Sequence, residues 1–239
     1  MHSFLIALQF LTRIPIGHGL VVDDNRLGRS VLFYPGVGLL IGGVLMAGAM
    51  LLADSPAMVA AALLLMVWVL VTGGLHLDGL ADCADAWVGG FGDRARSLRI
   101  MKDPASGPIA VCVLVLVLLL KWSLLVSLLE QNRFVPLLIA PLLGRSAILL
   151  LMLSTPYVSP QGLAEKLLQH LPRTAVRWVA GLSVAAAAVA LGWLALLLAG
   201  LLLMWIRRAA VSRLGGVTGD VYGAAVELTE TAALLAVVL

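Results

Sequence analysis

Residues 73–108 read GGLHLDGLADCADAWVGGFGDRARSLRIMKDPASGP, and this polar stretch lies between two long apolar segments. At about 100° per residue, a continuous helix places Asp78, Asp82 and Asp85 within an arc of about 60°. Three carboxylates on one helix face repel one another unless a cation lies among them. Because Mg²⁺ prefers carboxylate oxygens and leaves room for substrate phosphates, the spacing predicts a metal–phosphate site with these three aspartates as ligands.

The composition of the whole chain is that of a membrane protein. Of its 239 residues, 62% are hydrophobic and 12% are charged, and the mean hydropathy is +1.06, whereas soluble domains carry about 25% charged residues. The length fits one compact bundle and no linker or repeat divides it, so we expect a single membrane-embedded catalytic domain over residues 1–239. The basic residues flank apolar spans, which is typical of membrane topology and does not indicate binding to nucleic acid.

The apolar segments predict an all-α bundle of about seven spans, within a range of five to seven. The expected spans are 30–53, 57–74, 109–129, 134–153, 178–206 and 221–239. We expect the second of these to run straight into the aspartate helix. Residues 178–206 form either one long helix or two helices that turn near Gly192. With two helices most Lys and Arg residues fall on one side, so the positive-inside rule favours this hairpin, with both acidic motifs facing the cytoplasm.

A second acidic motif, LGGVTGDVYG, occupies residues 214–223. Glycines before a helix start leave backbone N–H groups free for phosphate oxygens, and Thr218 is a suitable helix cap. Asp220 is therefore a fourth candidate metal ligand, and Gly219 is a candidate substrate contact.

Several charged residues are predicted to lie inside apolar spans, where a charge needs a partner or a ligand. The alternative interpretation of Asp220, and likewise of Glu227, is a structural ion pair with Arg207, Arg213 or Arg145. Arg145 lies too deep to reach the membrane surface, so we expect an internal partner or a bound substrate there. Lys121 is expected to extend to the surface from the end of its span.

The basic residues that follow the aspartates are candidates for binding a substrate phosphate. Lys102 and Asp103 stand before a glycine turn at the entrance of a span, and a cation, an acid and such a turn suit a phosphate clamp. Arg94 and Arg99 are further candidates, and the alternative is that these cations only anchor the chain at the membrane surface.

Five segments together resemble the bacterial cobalamin synthase family, the adenosylcobinamide-GDP ribazoletransferases. They are FLTRIPI at 10–16, YPGVGLLIG at 34–42, HLDGLADCADAW at 76–87, IMKDPASGP at 100–108 and RLGGVTGDVYGAAVE at 213–227. The resemblance implies an integral inner-membrane enzyme that depends on Mg²⁺. It implies that the enzyme joins adenosylcobinamide-GDP to α-ribazole or its 5′-phosphate and releases GMP in vitamin B12 biosynthesis.

The residues fit such a reaction. Asp78, Asp82, Asp85 and Asp220 would hold Mg²⁺ against the diphosphate, and one aspartate, with Asp85 favoured, would take the proton of the attacking hydroxyl. The leaving phosphate would be stabilised by Lys102, Arg94 or Arg99. Two alternatives stay open. A CDP-alcohol phosphotransferase acting on lipid headgroups requires an arginine that is absent after Asp78 and Gly79, and a cation-coupled transporter requires acids near the bilayer midplane. Lipid is an expected partner, and the small residues of the first span permit a homo-oligomer.

Overall fold

The computed structural model describes residues 2–16, 23–159 and 163–239, and these ranges are almost entirely helical. They contain no strand, apart from a single β-bridge between Tyr157 and Val217. The α-helices are α1 His2–Leu11, α2 Asp24–Ser30, α3 Tyr34–Leu51, α4 Ala57–Thr72, α5 Leu75–Gly89, α6 Arg94–Ile100, α7 Pro108–Glu130, α8 Val135–Ser154, α9 Leu163–Gln169, α10 Arg173–Leu191, α11 Trp193–Leu214 and α12 Gly219–Val238. The prediction of an all-α chain is confirmed.

Six helical segments in the described ranges are long and apolar enough to cross a membrane. They are Asp24–Leu51, which joins α2 to α3 through the 3₁₀ turn Val31–Phe33, and α7, α8, α10, α11 and α12. The pair α4 and α5 gives a seventh if it is counted as one bent span. The chain is therefore a multi-pass membrane protein, as the composition predicts.

The ambiguous apolar segment after residue 173 forms two helices. Helix α10 ends at Leu191 and α11 begins at Trp193, and the residue between them, Gly192, has a φ of +84°. Glycine adopts this left-handed region without the steric cost that other residues meet. The turn predicted near Gly192 is confirmed.

The junction between α4 and α5 is sharply bent. Gly73 and Gly74 have φ values of +64° and +70°, and the axes of the two helices differ by 88°. The prediction that the second span runs straight into the aspartate helix is wrong, because two consecutive left-handed glycines end α4 and redirect the chain. We therefore take α4 as the membrane-crossing part, and α5 lies outside the spanning segments, packed against α6, α7 and α12.

Helices α8 and α12 form the centre of the bundle, each with 78% of its most apolar window buried. Helix α8 packs against α3, α10 and α12, and α12 packs against α5 and α11 as well. The approach of α3 to α8 is close because Gly38 and Gly42 lie directly against the backbone of Pro141 and Leu138. The small-residue face predicted for the first span is thus used within the chain.

Gly42→Ala is expected to destabilise the bundle, because the added methyl group would collide with the carbonyl group of Leu138 in α8. Forced overpacking of this kind costs about 1–3 kcal/mol. The matched control is Gly43→Ala, one residue further along α3, where no atom lies within 4 Å of the added group. The apparent melting temperature in detergent should fall for Gly42→Ala and stay at the wild-type value for Gly43→Ala, and equal values for the two variants would contradict this packing.

Candidate active site

The aspartate helix forms as the spacing predicts. Helix α5 is continuous from Leu75 to Gly89 and carries Asp78, Asp82 and Asp85. Asp78 is exposed, whereas Asp82 and Asp85 are partly buried. The bend before α5 directs this acidic helix across the start of α12, which carries the second acidic motif.

The start of α12 lies directly against α5. The hydroxyl group of Thr218 caps α12, as predicted, and donates a hydrogen bond of 3.3 Å to Oδ2 of Asp220. A Cβ atom on Gly79 would lie 2.7 Å from the carbonyl oxygen of Asp220, and one on Gly223 would lie 3.1 Å from that of His76. Two glycines, one on each helix, therefore allow a close crossing. The crossing brings Asp220 to the aspartates of α5.

Within the described part of the chain, no Lys, Arg or His pairs with the carboxylates of Asp78, Asp82 and Asp220 at this crossing. Burial, followed by the nearby charges of Asp220, Asp78 and Asp85, raises the pKa of Asp82 to about 6. Like charges act in this direction because they favour the neutral form of a carboxyl group. A cationic ligand would supply the missing positive charge.

The donor chemistry at the crossing fits a hard divalent cation, because it consists of carboxylate oxygens that lack a cationic partner. The side chains are not gathered into a finished site, since the described ranges contain no group of three His, Cys, Asp or Glu residues placed to hold a metal ion. Asp78, Asp82 and Asp220 would therefore have to change rotamer to share one ion.

Asp85 connects α5 to the start of α7. Its Oδ2 accepts a hydrogen bond of 2.6 Å from the backbone N–H of Gly107, and its Oδ1 accepts one of 2.9 Å from that of Ala110. These are donors at the first turn of α7 that have no partner within the helix. Asp85 therefore caps α7, and its predicted roles as a metal ligand and proton acceptor stay predictions.

The predicted phosphate-binding residues lie on α6 and in the turn that follows it. Helix α6 is held against α5 by Ser97, whose side chain lies against the carbonyl group of Ala86. Arg99, Lys102 and Asp103 are exposed. Within the part of the chain that the structure describes, neither of the two cations forms an ion pair, so both are available to a ligand.

Two further predicted contacts lie beside the second acidic motif. The guanidinium group of Arg94 lies next to Gly215, where a Cβ atom would be 3.1 Å from it. Gly219, the first residue of α12, is exposed and has no atom within 4 Å of the position of a Cβ atom. Arg94 and Gly219 are therefore at the same end of the bundle as Asp220.

A buried charge network lies deeper in the bundle and was not predicted as such. Lys121 is 2% exposed, and its Nζ donates to Oε2 of Glu227 at 2.6 Å and to Oε2 of Glu230 at 2.7 Å. The prediction that Lys121 extends to the membrane surface is wrong, because two carboxylates of α12 hold it inside. The alternative interpretation, an ion pair of Glu227 or Asp220 with an arginine, is not found: Glu227 pairs with Lys121, and Asp220 has no ion pair in the described ranges.

Arg145 completes this network, with Nη1 paired to Oε1 of Glu230. Its side chain is fully buried, and its Nε and Nη2 atoms have no hydrogen-bond partner in the described ranges. The internal partner expected for Arg145 is thereby confirmed. Its predicted role in substrate binding stays a prediction, and the residue does not lie with the exposed cations of α6.

The sequence matches a known protein family over nearly its whole length. The profile of the family described as Cobalamin-5-phosphate synthase matches residues 3–238. The chain is 56% identical to an adenosylcobinamide-GDP ribazoletransferase of Pseudomonas fluorescens over 100% of both chains. It is 54% identical to proteins of the same name from Ectopseudomonas mendocina, over 98% of this chain and 97% of the relative, and from Pseudomonas aeruginosa, over 100% and 98%. No solved structure gives a significant match.

The fold and the site define an all-helical, multi-pass membrane protein with an acidic centre where α5 crosses the start of α12. With a profile match over nearly its whole length and relatives of more than half identity, the chain belongs to the Cobalamin-5-phosphate synthase family. It is therefore an enzyme, and the resemblance seen in its motifs is confirmed.

Proposed function

We propose that this enzyme joins adenosylcobinamide-GDP to α-ribazole, or to α-ribazole 5′-phosphate, and releases GMP. The name of its relatives supports the donor and the transferred group. The structural observation that carries the proposal is the close crossing of α5 and α12 at Gly79, which brings Asp220 to Asp78 and Asp82. The concentration of basic residues at this end of the bundle supports a site that faces the cytoplasm from a bacterial inner membrane.

Asp78, Asp82 and Asp220 are the residues that would hold Mg²⁺, because their carboxylates have no cationic partner in the described ranges. Bound there, Mg²⁺ would neutralise charge on the diphosphate oxygens and favour in-line displacement. Asp85 is a weaker candidate ligand, because both of its oxygens already accept backbone N–H groups.

The reaction forms one bond and breaks one. A ribose hydroxyl oxygen of the acceptor bonds to the phosphorus that carries the cobinamide, and the bond from that phosphorus to the bridging oxygen breaks, so that GMP leaves. The hydroxyl proton needs an acceptor within hydrogen-bond reach. We assign it to the carboxylate of Asp82 in preference to Asp85, because both oxygens of Asp85 already accept backbone N–H groups. Lys102 and Arg99 offer positive charge to the departing phosphate.

No specific observation favours the two alternatives. The CDP-alcohol phosphotransferase motif is incomplete in this chain. The buried acids Glu227 and Glu230, which a transporter would need for coupling, are already paired with Lys121 and Arg145.

The test is a reconstituted reaction with adenosylcobinamide-GDP, α-ribazole 5′-phosphate and Mg²⁺. We expect GMP and a cobalamin product in equal amounts, with no GMP when either substrate is omitted. EDTA should stop the reaction, and excess Mg²⁺ should restore it. Sealed inside-out vesicles should be active without permeabilisation, whereas right-side-out vesicles should not. Protein that elutes as a single folded species but releases no GMP would contradict the proposal.

A further inference from the structure

A polar cavity beside the acidic centre is not explained by the aspartates. It has a volume of about 600 Å³ and is bounded by α6, residues 155–159, α9 and the start of α10. Its charged and hydrogen-bonding side chains include those of Arg94, Thr155, Tyr157, Ser159, Glu165 and Arg173. We refer to it as the Arg94–Arg173 cavity.

The two arginines give this cavity an excess of positive charge. Arg94 comes from α6 and Arg173 is the first residue of α10, so two separate elements each contribute an arginine to the lining of the cavity. Both residues are exposed, and within the described ranges neither side chain forms an ion pair or a hydrogen bond to another residue. Glu165 is the single acid among the lining residues. Unpaired guanidinium groups are suited to a phosphate, which they bind through paired hydrogen bonds.

The cavity is tied to the segment that carries Asp220. The backbone N–H of Val158 donates to the carbonyl oxygen of Val217 at 2.9 Å, and the N–H of Val217 donates to that of Pro156 at the same distance. The ring of Tyr157 stacks on that of Tyr222, with centroids 6.2 Å apart and planes 13° from parallel. Arg94 lies against Gly215 in the same segment. One wall of the cavity is therefore fixed to residues on either side of Asp220.

We propose that the Arg94–Arg173 cavity is the part of the site that binds the 5′-phosphate when α-ribazole 5′-phosphate is the acceptor. This inference rests on the proposed function. A terminal phosphate monoester carries nearly two negative charges at neutral pH, which two guanidinium groups match. The two phosphates of the donor form one diphosphate, which contains the reacting phosphorus. We therefore place the donor's phosphates at the aspartates. The 5′-phosphate and the hydroxyls of one ribose are separated by only a few bonds, so an acceptor anchored here can present its hydroxyl to the neighbouring acidic centre.

The decisive variant is Arg173→Ala, compared on two acceptors. Loss of a charge-assisted contact should raise KM for α-ribazole 5′-phosphate by on the order of 10- to 100-fold. KM for α-ribazole, which lacks the phosphate, should stay unchanged, as should kcat with either acceptor. Arg173→Lys should recover part of the loss because it keeps the charge without the forked geometry. The matched control is Arg177→Ala, an exposed arginine one turn further along α10 that does not line the cavity.

Other outcomes would overturn the assignment. An equal rise in KM for both acceptors would mean that Arg173 acts on the fold and not on the phosphate. If GMP competes with the acceptor in the wild type and competes less well in Arg173→Ala, the occupant of the cavity is the leaving nucleotide. If the wild-type protein turns over neither acceptor, the proposed function fails, but equilibrium dialysis still tests the cavity. The wild type should then bind α-ribazole 5′-phosphate more tightly than α-ribazole, and Arg173→Ala should remove the difference.

Discussion

Asp82→Asn is expected to lower turnover by on the order of 10³-fold, because a bound metal ion contributes several kcal/mol of transition-state stabilisation and each 1.36 kcal/mol is a factor of ten. The substitution keeps the shape of the side chain but removes its charge and the proposed proton acceptor. Asp82 is the residue on which the charges of Asp78, Asp85 and Asp220 converge. The same change removes repulsion among these carboxylates, so the folded protein should be no less stable than the wild type.

Three measurements separate this loss from misfolding. GMP release should fall, while membrane insertion and the apparent melting temperature stay at their wild-type values. The matched control is Asp54→Asn, the same chemical change at an exposed aspartate in the turn between α3 and α4, and it should leave turnover unaltered. Near-normal GMP release from Asp82→Asn would remove Asp82 from the catalytic centre.

The local part of this architecture could be predicted from the sequence. The spacing of Asp78, Asp82 and Asp85 is set by the period of the helix, and Thr218 before Asp220 is a cap recognisable from residue type alone. The turn at Gly192 could also be predicted from neighbouring residues, because a glycine between two apolar stretches allows the left-handed turn found there. These features depend on neighbours within a few positions along the chain.

The bend before α5 shows where local patterns were insufficient. Gly73 and Gly74 were visible as a pair, but hydropathy continues across them, so the pattern predicts one uninterrupted element. Their left-handed conformations end α4 locally, with backbone hydrogen bonds to Leu70 and Val69, but the direction of the chain after them depends on the packing of α5. The meeting of Gly79 with Asp220 was equally hidden, because it joins two helices that are far apart in sequence.

The pairing of buried charges is also a tertiary property. Lys121 and Glu230 are separated by 109 positions, and a lysine near the end of an apolar span carries no sign of whether it turns outward or inward. A charged residue inside a span is expected to have a partner, and this expectation was correct for Arg145. The rule did not identify Glu230 as the partner of Arg145, because several other charged residues fitted the rule equally well.

Glu230→Gln is expected to cause the largest loss of stability of any change considered, because Glu230 contacts both buried cations. One oxygen accepts from Lys121 at 2.7 Å and the other pairs with Arg145, and all three side chains are at most 2% exposed. The amide leaves Lys121 and Arg145 with Glu227 as their only buried counter-charge among the described contacts. Removing one partner of a buried ion pair costs about 3–5 kcal/mol. For a chain of this length that lowers the melting temperature by on the order of 10 °C.

The measurement is the fraction of protein that stays monodisperse after heating in detergent. The control is Glu130→Gln, the same change at the exposed end of α7, which should leave the melting curve unaltered. A melting curve of Glu230→Gln that matches the wild type would contradict the network.

A double variant then separates structure from catalysis. Arg145→Met with Glu230→Met removes one charge of each sign and leaves the Lys121–Glu227 pair balanced. Replacing both members of a buried pair by apolar side chains is often neutral or stabilising, so this variant should be more stable than Glu230→Gln. If Arg145 also binds substrate, as the sequence predicts, this double variant should fold but should convert substrate slowly. If it turns over at the wild-type rate, Arg145 serves only to hold α8 against α12, and the exposed cations of α6 and α10 remain as the candidates for phosphate recognition.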